Sequence, residues 1–554
     1  MTSGRGLART KALGDRALIV DLPDLRAVLA LEATLDSRPL AASRPEGIED
    51  VVPAARTLAV LIDPRRTSVD AARTWLQRAI AAVGEVAPDR REAQAAQDVT
   101  IDVVYDGEDL ADVERLTGIP TTELVRRHTA ATWHVAFGGF APGFGYLVTD
   151  DDWPDVPRRT SPRTRVPSGS VALAGTFSGA YPREGAGGWQ LIGRTDAPLW
   201  RPADARPALL APGTRVRFRA VDPLEGDRTT RRNSHDVPEA NHDVGQADRA
   251  MPGAPHDTRE TAVTVVHSGP QLLIEDLGRP GYSSVGAGRS GALDRAALRL
   301  ANRLVGNDEA CAGLEVVVTA EVRFERAAWF AVTGARGGLR LGGHPIEPDE
   351  AVHASAGDVL QLGVADHGLR YYVALRGGVD APLELGSAST DLGAGLGPAP
   401  LVDGGSIVLG QGTAGSIPAV DALTVWSPPD DEVDIHVVAG PRAEWFSAAS
   451  VEAFYGGEWE VTQKANRVGV RLRSPGGVAL RRSDDPTLPA ELPSEPMVPG
   501  AVQVPPSGEP TVLLADGPVT GGYPVIAVVT DADLDLFAQL RPGQRLRFRH
   551  ARSG

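Results

Sequence analysis

The string Pro-Gly-x-Arg-x-Arg-Phe-Arg occurs twice in this chain, at Pro212 to Arg219 and again at Pro542 to Arg549. Each copy has companions. Val166-Pro167-Ser-Gly and Gly187-Gly188-Trp189-Gln-Leu-Ile precede the first; Val498-Pro499-Gly and Gly521-Gly522-Tyr523-Pro-Val-Ile precede the second, in the same order and at similar spacing. Ordered blocks at matched spacing mark duplicated structural units, so each half should close with the same kind of domain. The blocks are short apolar runs broken by Gly and Pro, which reads as strands and turns of a β domain.

Between the halves, residues 225–261 contain no Leu, Ile or aromatic residue and are rich in Asp, Arg, Asn, His, Gly and Pro. Such a stretch cannot bury enough apolar surface to offset its ordering entropy and reads as a flexible linker. Its His235, His242 and His256 match no metal-binding spacing. Upstream, Ala17 to Asp21 and Thr57 to Ile62 read as strands. Leu25, Val28, Leu29 and Leu35, then Ala72, Leu76, Ile80 and Val83 after Ser68, fall at helical spacing. From Val99 the chain reads as short strands with helices at Asp109 to Leu116 and Thr121 to His128, and after the linker as short strands with one helix, Asp294 to Leu304. The expected architecture is mainly β with an α/β N-terminal domain. Its parts are 1–98, 99–224, the linker 225–261, 262–430 and 431–554.

Composition excludes several functions. A net charge of -16 disfavours nucleic-acid binding, and a single cysteine, Cys311, excludes a disulfide framework. Cys311 lies among small and apolar residues and is expected to be buried and unreactive. The only lysines are Lys11 and Lys464, neither in a Walker A loop, a kinase strand or the Met-Lys-Met setting of a biotin carrier. Any phosphate must then be held by arginines and backbone N–H groups. No apolar run approaches the ~18 residues of a membrane span, and the run after Lys11 ends at Asp21. A cytoplasmic location is the expectation.

Candidate site residues cluster in Gly/Pro-rich strings. Phe137-Gly-Gly-Phe140-Ala-Pro142-Gly-Phe144-Gly-Tyr146 is read as a loop after a strand, where glycines admit a ligand or merely turn the chain under an aromatic cluster. Arg158, Arg159, Arg163 and Arg165 form a cation cluster suited to an anion. In the second half come Glu275-Asp-Leu-Gly-Arg279-Pro-Gly-Tyr282, Arg289-Ser290-Gly291, Asn466-Arg467-Val-Gly-Val-Arg471, Glu495, Gln503, Asp516 and Thr520-Gly-Gly-Tyr523. Ser290 is not a nucleophile elbow, because Ala292 stands where Gly-x-Ser-x-Gly needs glycine.

PGFGYL, RTRVPSGSVALAG and GGWQLIGRT resemble the B-subunit family of bacterial ATP-dependent 5-oxoprolinase, also described as sporulation-kinase inhibitor-like or "allophanate hydrolase subunit 1". DLGRPGY, SGALDRAALRLANRLVGN, NRVGVRL, ELPSEPMVPGAVQVPPSGEP and TGGYP resemble the C-subunit family, "allophanate hydrolase subunit 2". Both are similar to the carboxyltransferase region of urea carboxylase. The resemblance implies tandem cyclophilin-like β-barrels, one in the first half and two in the second, and a fusion of B and C subunits. It implies ATP and Mg2+ as cofactors, a separate A subunit as partner and a small lactam or amide substrate; a homo-oligomer stays open.

The implied chemistry is phosphorylation of the lactam oxygen of 5-oxoproline, giving an imidate that water opens to glutamate. The candidate roles are donors at Arg279, Arg467 and Arg471, carboxylates at Glu315, Glu495 and Asp516, and lactam orientation by Asn466, Gln503 and Tyr523, with Arg289 and Thr520, and Pro142, Tyr146, Arg163 and Trp189 on the first-half side, as further substrate- or nucleotide-binding candidates. The family usually has Gln where this chain has Glu275, which is expected to alter charge at a pocket edge, and a small polar residue where it has Lys464. Two other readings stand beside this one: the carboxyltransferase component of a biotin-dependent urea or amide carboxylase, and a non-catalytic regulator of a histidine kinase.

Overall fold

The computed structural model describes residues 8–83, 98–222, 260–410, 415–418, 432–489 and 491–551. The expected linker, but for its last two residues, lies outside them together with its histidines. The N-terminal part is one antiparallel four-stranded sheet in the order Arg9–Ala12, Ala17–Asp21, Thr57–Ile62, Ile48–Pro53. Helix Val69–Ala82 begins where expected, at Ser68, whose side chain caps Ala71 N, and helix Leu25–Leu35 is capped by Asp24, whose side chain accepts from Ala27 N. The outer strands Arg9–Ala12 and Ile48–Pro53 escaped the sequence reading because their apolar positions are sparse.

The run Ala17 to Val20 is apolar at every position because both faces of its sheet are covered. Leu18 and Val20 pack under the helices with Leu58, Val60, Leu31 and Leu76. Ala17 and Ile19 pack instead against Met497, Val498, Leu513, Val525 and Val528, more than four hundred residues further along. The first sheet is therefore docked on the last domain of the chain.

The rest of the first half is a seven-stranded sheet, running from Gln190–Arg194 through Ser170–Ala174, Phe177–Ala180, Ala141–Thr149, Trp133–Gly139 and Arg215–Ala220 to Asp98–Val103. Its ends meet where Val104 and Arg194 exchange two backbone hydrogen bonds of 2.9 Å, so the sheet closes on itself. The second half holds a ten-stranded sheet and then a closed seven-stranded barrel. The chain is mainly β, a series of barrel-like sheets of the cyclophilin-like kind. The ten-stranded sheet departs from the expected texture of short strands: Ala328–Leu341 and Val359–Leu375 run 14 and 17 residues as one long hairpin. Helix Ala448–Gly456 is a further element that sequence reading missed.

The two barrels are built alike to the level of single contacts. Arg215–Ala220, carrying the first copy of the repeated string, pairs parallel with Asp98–Val103 and antiparallel with Trp133–Gly139. Arg545–His550, carrying the second, pairs parallel with Glu432–Ala439 and antiparallel with Trp459–Val461. Trp133 Nε1 donates to His128 O at 3.0 Å, and Trp459 Nε1 to Phe454 O at 3.1 Å. His128 stacks on Phe218 at 4.3 Å, and Phe454 on Phe548 at 4.4 Å. In this comparison His128 stands where the last barrel has Phe454, and both its nitrogens are engaged, at 2.7 Å from Tyr105 Oη and 2.8 Å from Ser178 Oγ. Burial lowers its pKa to about 3, so it is neutral. Cys311 proves half-buried rather than buried, its thiol pKa raised by desolvation.

Candidate functional site

The string expected as a Gly/Pro loop at Phe137 to Leu147 is a hairpin: Trp133–Gly139 turns at Phe140, φ 65°, into Ala141–Thr149. Backbone pairing absorbs its glycines, and its tip presses into the second half. Phe140 N donates to Thr520 Oγ1 at 2.8 Å, and Tyr146 Oη lies 3.5 Å from Ser494 Oγ. A Cβ on Gly138 would stand 2.5 Å from Ser284 O, one on Gly139 2.5 Å from Thr520 Oγ1, and one on Gly286 2.3 Å from Ala141 O. The glycines permit backbone-to-backbone contact between the halves. Pro142 is buried in the second strand of the hairpin. Tyr146 stacks on Phe137 at 4.3 Å, and Trp189 stands edge-on to Tyr146 and Phe144.

Around this seam lies a cavity of about 50 Å³ lined by three parts of the chain: Glu49 and Asp50 of the first sheet, Pro280 to Arg289, and Met497 to Val519 of the last barrel. Arg289 pairs with Glu49 across it. Asp50 accepts from Ser284 N at 3.2 Å, and burial raises its pKa. Ser290 and Asp516, next to lining residues, lead from the cavity into a buried ionic network.

That network centres on Arg467, 2% exposed. Its Nε and Nη2 each lie 2.9 Å from Asp516, its Nη1 2.7 Å from Glu315 and its Nη2 3.4 Å from Glu275. Nη2 also donates to Gly291 O at 2.7 Å, and Ser290, held at φ 53°, donates to Asp516 Oδ1 at 2.7 Å. Glu315 accepts from Tyr372 Oη at 2.7 Å and Leu293 N at 3.1 Å and faces Arg370 at 3.4 Å. Burial alone would raise its pKa, but Arg467, Arg370 and these donors hold it below the ordinary carboxylate range. Arg279 binds Ser389 O and lies 3.9 Å from Asp391, whose pKa burial and Asp516 push up to about 6. Glu275 differs from the rest. It is fully buried, and neither carboxyl oxygen has a hydrogen bond. The nearby Ser389 hydroxyl donates instead to Asp276 at 2.5 Å. Desolvation raises the Glu275 pKa strongly, with Glu315 and Asp516 adding to it against Arg467. Arg467, Arg370 and Arg279 thus face four carboxyl groups, Glu315, Asp516, Asp391 and Glu275, and burial with these like charges favours the protonated form at Glu275. Glu275 does not stand at a pocket edge as expected but is fully buried beside Arg467.

The other candidates are dispersed. Glu495, its pKa raised by burial, pairs with Arg442, which also binds Asp21 of the first sheet. Asn466 closes a turn, accepting from Val468 N and Gly469 N. Arg471 is exposed on a strand whose Val470 and Leu472 are buried, so it points away from the network. Gln503 is half-buried on Ala501–Gln503, and Tyr523 is 40% exposed. Arg163 and Arg159 share Asp109, and Arg165 pairs with Glu184. Sequence reading missed Arg370, Tyr372, Asp391 and Arg442: each sits outside the motifs, and only the fold brings it to its partner.

Magnesium and nucleotide do not fit these residues. Glu315 and Asp516 are spent on Arg467, Glu275 is fully buried with its pKa raised, and Glu495 is spent on Arg442. Among the described residues no group of three His, Cys, Asp or Glu is placed to hold a metal. Arg467 faces inward onto carboxylates and a carbonyl, and Arg279, 1% exposed, donates to Ser389 O with its Nη1 buried rather than open to a phosphate from solvent.

Comparison with known proteins agrees with the fold. The carboxyltransferase-domain family matches as subdomains C and D over residues 8–210 and as subdomains A and B over residues 285–550. The C subunit of 5-oxoprolinase from Escherichia coli K12 is 37% identical over 289 residues, 51% of this chain and 89% of that protein. The chain belongs to this carboxyltransferase-domain family, its first half related to the 5-oxoprolinase B subunit and its second half to the C subunit. The B subunit from Bacillus subtilis 168 is 39% identical over 140 residues, 24% of this chain and 58% of that protein. Urea amidolyase of Lachancea kluyveri is 32% identical over 314 residues, which is 53% of this chain and 17% of that protein. The crystal structure of TTHA0988 superposes with a TM-score of 0.77 at 32% identity, covering 96% of this chain and 99% of that one.

Proposed function

We propose that the chain is the fused B/C component of a 5-oxoprolinase, acting with a separate A subunit on a small cyclic amide bound at the seam between its halves. The seam carries the reading. The hairpin tip of the first half meets the backbone of segment 280–290 and the side chain of Thr520 there, so a ligand bound at the seam would touch both halves. The chain's own part is to bind and orient the lactam, with Thr520, Tyr523 and backbone groups at hand and the aromatic hairpin excluding water. A lactam is a weak electrophile, so ring opening consumes ATP supplied to the complex; no step is assigned to nucleotide or metal on this chain.

The test mixes the purified chain with an A-type subunit, ATP, magnesium and 5-oxoproline. Glutamate formation that needs both proteins supports the reading. Its absence, with carboxyl transfer from carboxybiotin to urea or another amide in its place, would establish the carboxyltransferase reading that the family match also favours.

A further inference from the structure

At ~15 Å³ per water, the seam cavity of about 50 Å³ holds about three waters, or the amide end of a small lactam. Its walls at Leu61, Ile62, Met497, Val498 and Val519 are apolar. Four charged residues share the lining, and three of them are ion-paired: Arg289 with Glu49, and Arg16 with Asp531 at 3.2 Å. Asp50 is the fourth. Its Oδ1 accepts from Val51 N at 2.8 Å and its Oδ2 from Ser284 N at 3.2 Å, and it has no ion pair among the described residues. Arg44, the cation whose charge bears on it, donates instead to Ile48 O at 3.1 Å. Each carboxylate oxygen keeps a lone pair for a further donor. Asp50 is 8% exposed, and desolvation raises its pKa, so its carboxylate is a stronger base than one in water. Ser284 ties it to the seam, because the carbonyl of the same residue meets Gly138 of the hairpin. A carboxylate held by backbone donors in an apolar cavity, without a cation of its own, is suited to proton transfer.

We propose that Asp50 is the base that takes the amide N–H proton of a lactam bound in this cavity. This deepens the function proposed above and rests on it for the identity of the ring. The N–H bond breaks, its proton moves to a carboxylate oxygen of Asp50, and the electron pair spreads over the N, C and O of the amide. The amide then attacks an electrophile, a phosphoryl or carboxyl group, brought by the partner protein. The protonated Asp50 hands its proton back to the ring nitrogen as the C–N bond opens.

The experiment measures glutamate formed from 5-oxoproline by the full chain with an A-type subunit, ATP and magnesium, across about pH 5 to 9. Asp50→Asn should lower kcat by ~100-fold or more with KM changed less than about twofold. The parent's kcat should rise with pH along an acid limb. The residual rate of Asp50→Asn should lack that limb, and Asp50→Glu should keep it with part of the rate. A purely structural Asp50 would move the melting temperature and leave the limb in place. Undiminished kcat in a folded Asp50→Asn, a raised KM alone, or a parent without the acid limb overturns the base; the last needs no variant to fold. Turnover that survives in Asp50→Asn removes the base and keeps the function. If the parent forms no glutamate, carboxyl transfer from carboxybiotin to an amide is measured with the same chain. Transfer that Asp50→Asn abolishes keeps the base and removes the function; a parent with neither activity loses both.

Discussion

Replacing Glu275 by Gln should stabilise the protein, increasingly so as pH rises. The side chain is fully buried, lacks hydrogen bonds and shares Arg467 with the carboxyl groups of Glu315 and Asp516. Its folded pKa is therefore raised well above the ordinary value of 4.5. A raised acid contributes stability that is fully present below the unfolded pKa and is lost as pH climbs towards the folded one, because the unfolded chain releases the proton first. The limiting slope is ~1.4 kcal/mol per pH unit. Gln keeps the shape and removes the slope. Between pH 5 and 6 the gap between variant and parent should widen by ~1 kcal/mol, which for units of this size is about 2–4 °C in melting temperature. Calorimetric scans of both proteins from pH 4.5 to 8 measure it directly. If Glu275 were instead ionised and paired with Arg467, the variant would be the less stable one above pH 5. A flat or negative trend of the difference with pH would refute the reasoning.

Arg467→Met should cost roughly 3–5 kcal/mol, since it strands buried carboxylates without their cation; the urea midpoint of the second half should fall, and an unshifted midpoint would show that the network carries little. His128→Phe copies Phe454 of the last barrel and removes a base that must gain a proton on unfolding in acid. Because the folded pKa is lowered to about 3, parental stability falls as pH drops from ~6.5 towards that value. The variant should lose that dependence, ~1.4 kcal/mol per unit, while starting about 1–3 kcal/mol lower at neutral pH from the unpaired Tyr105 and Ser178 hydroxyls. Denaturant titrations at pH 5 and 7 check both parts.

Local signals carried much of the fold. Ser68 and Asp294 as helix starts and helical spacing behind Leu25 placed their helices, and the repeated Arg-x-Arg-Phe-Arg blocks proved to be equivalent strands in two barrels. Long-range pairing was less visible. Nothing local says that Ala17 and Ile19 face residues 497–528, although the unbroken apolar run was a clue to burial on both faces. The glycines of the hairpin read as a loop because their spacing is the same whether they face a ligand or another backbone. At the site, the motifs delivered Arg467, Asp516, Glu315 and Arg279 together. They gave no sign that these groups would neutralise one another, because charge balance depends on Arg370 and Asp391, which lie outside every motif. Burial of Glu275 raises its pKa, and burial is a property of the assembled sheets.

The central claim is that function resides at the seam between the halves, and Gly139→Ala tests it most directly. Gly139 has no left-handed backbone requirement, but its Cβ would meet Thr520 Oγ1 at 2.5 Å, so the methyl wedges the halves apart while leaving each barrel core untouched. Measured as glutamate formed from 5-oxoproline with an A-type subunit, the variant should lose most of its kcat while retaining the melting transitions of the parent. Full activity in a folded Gly139→Ala protein would contradict the account.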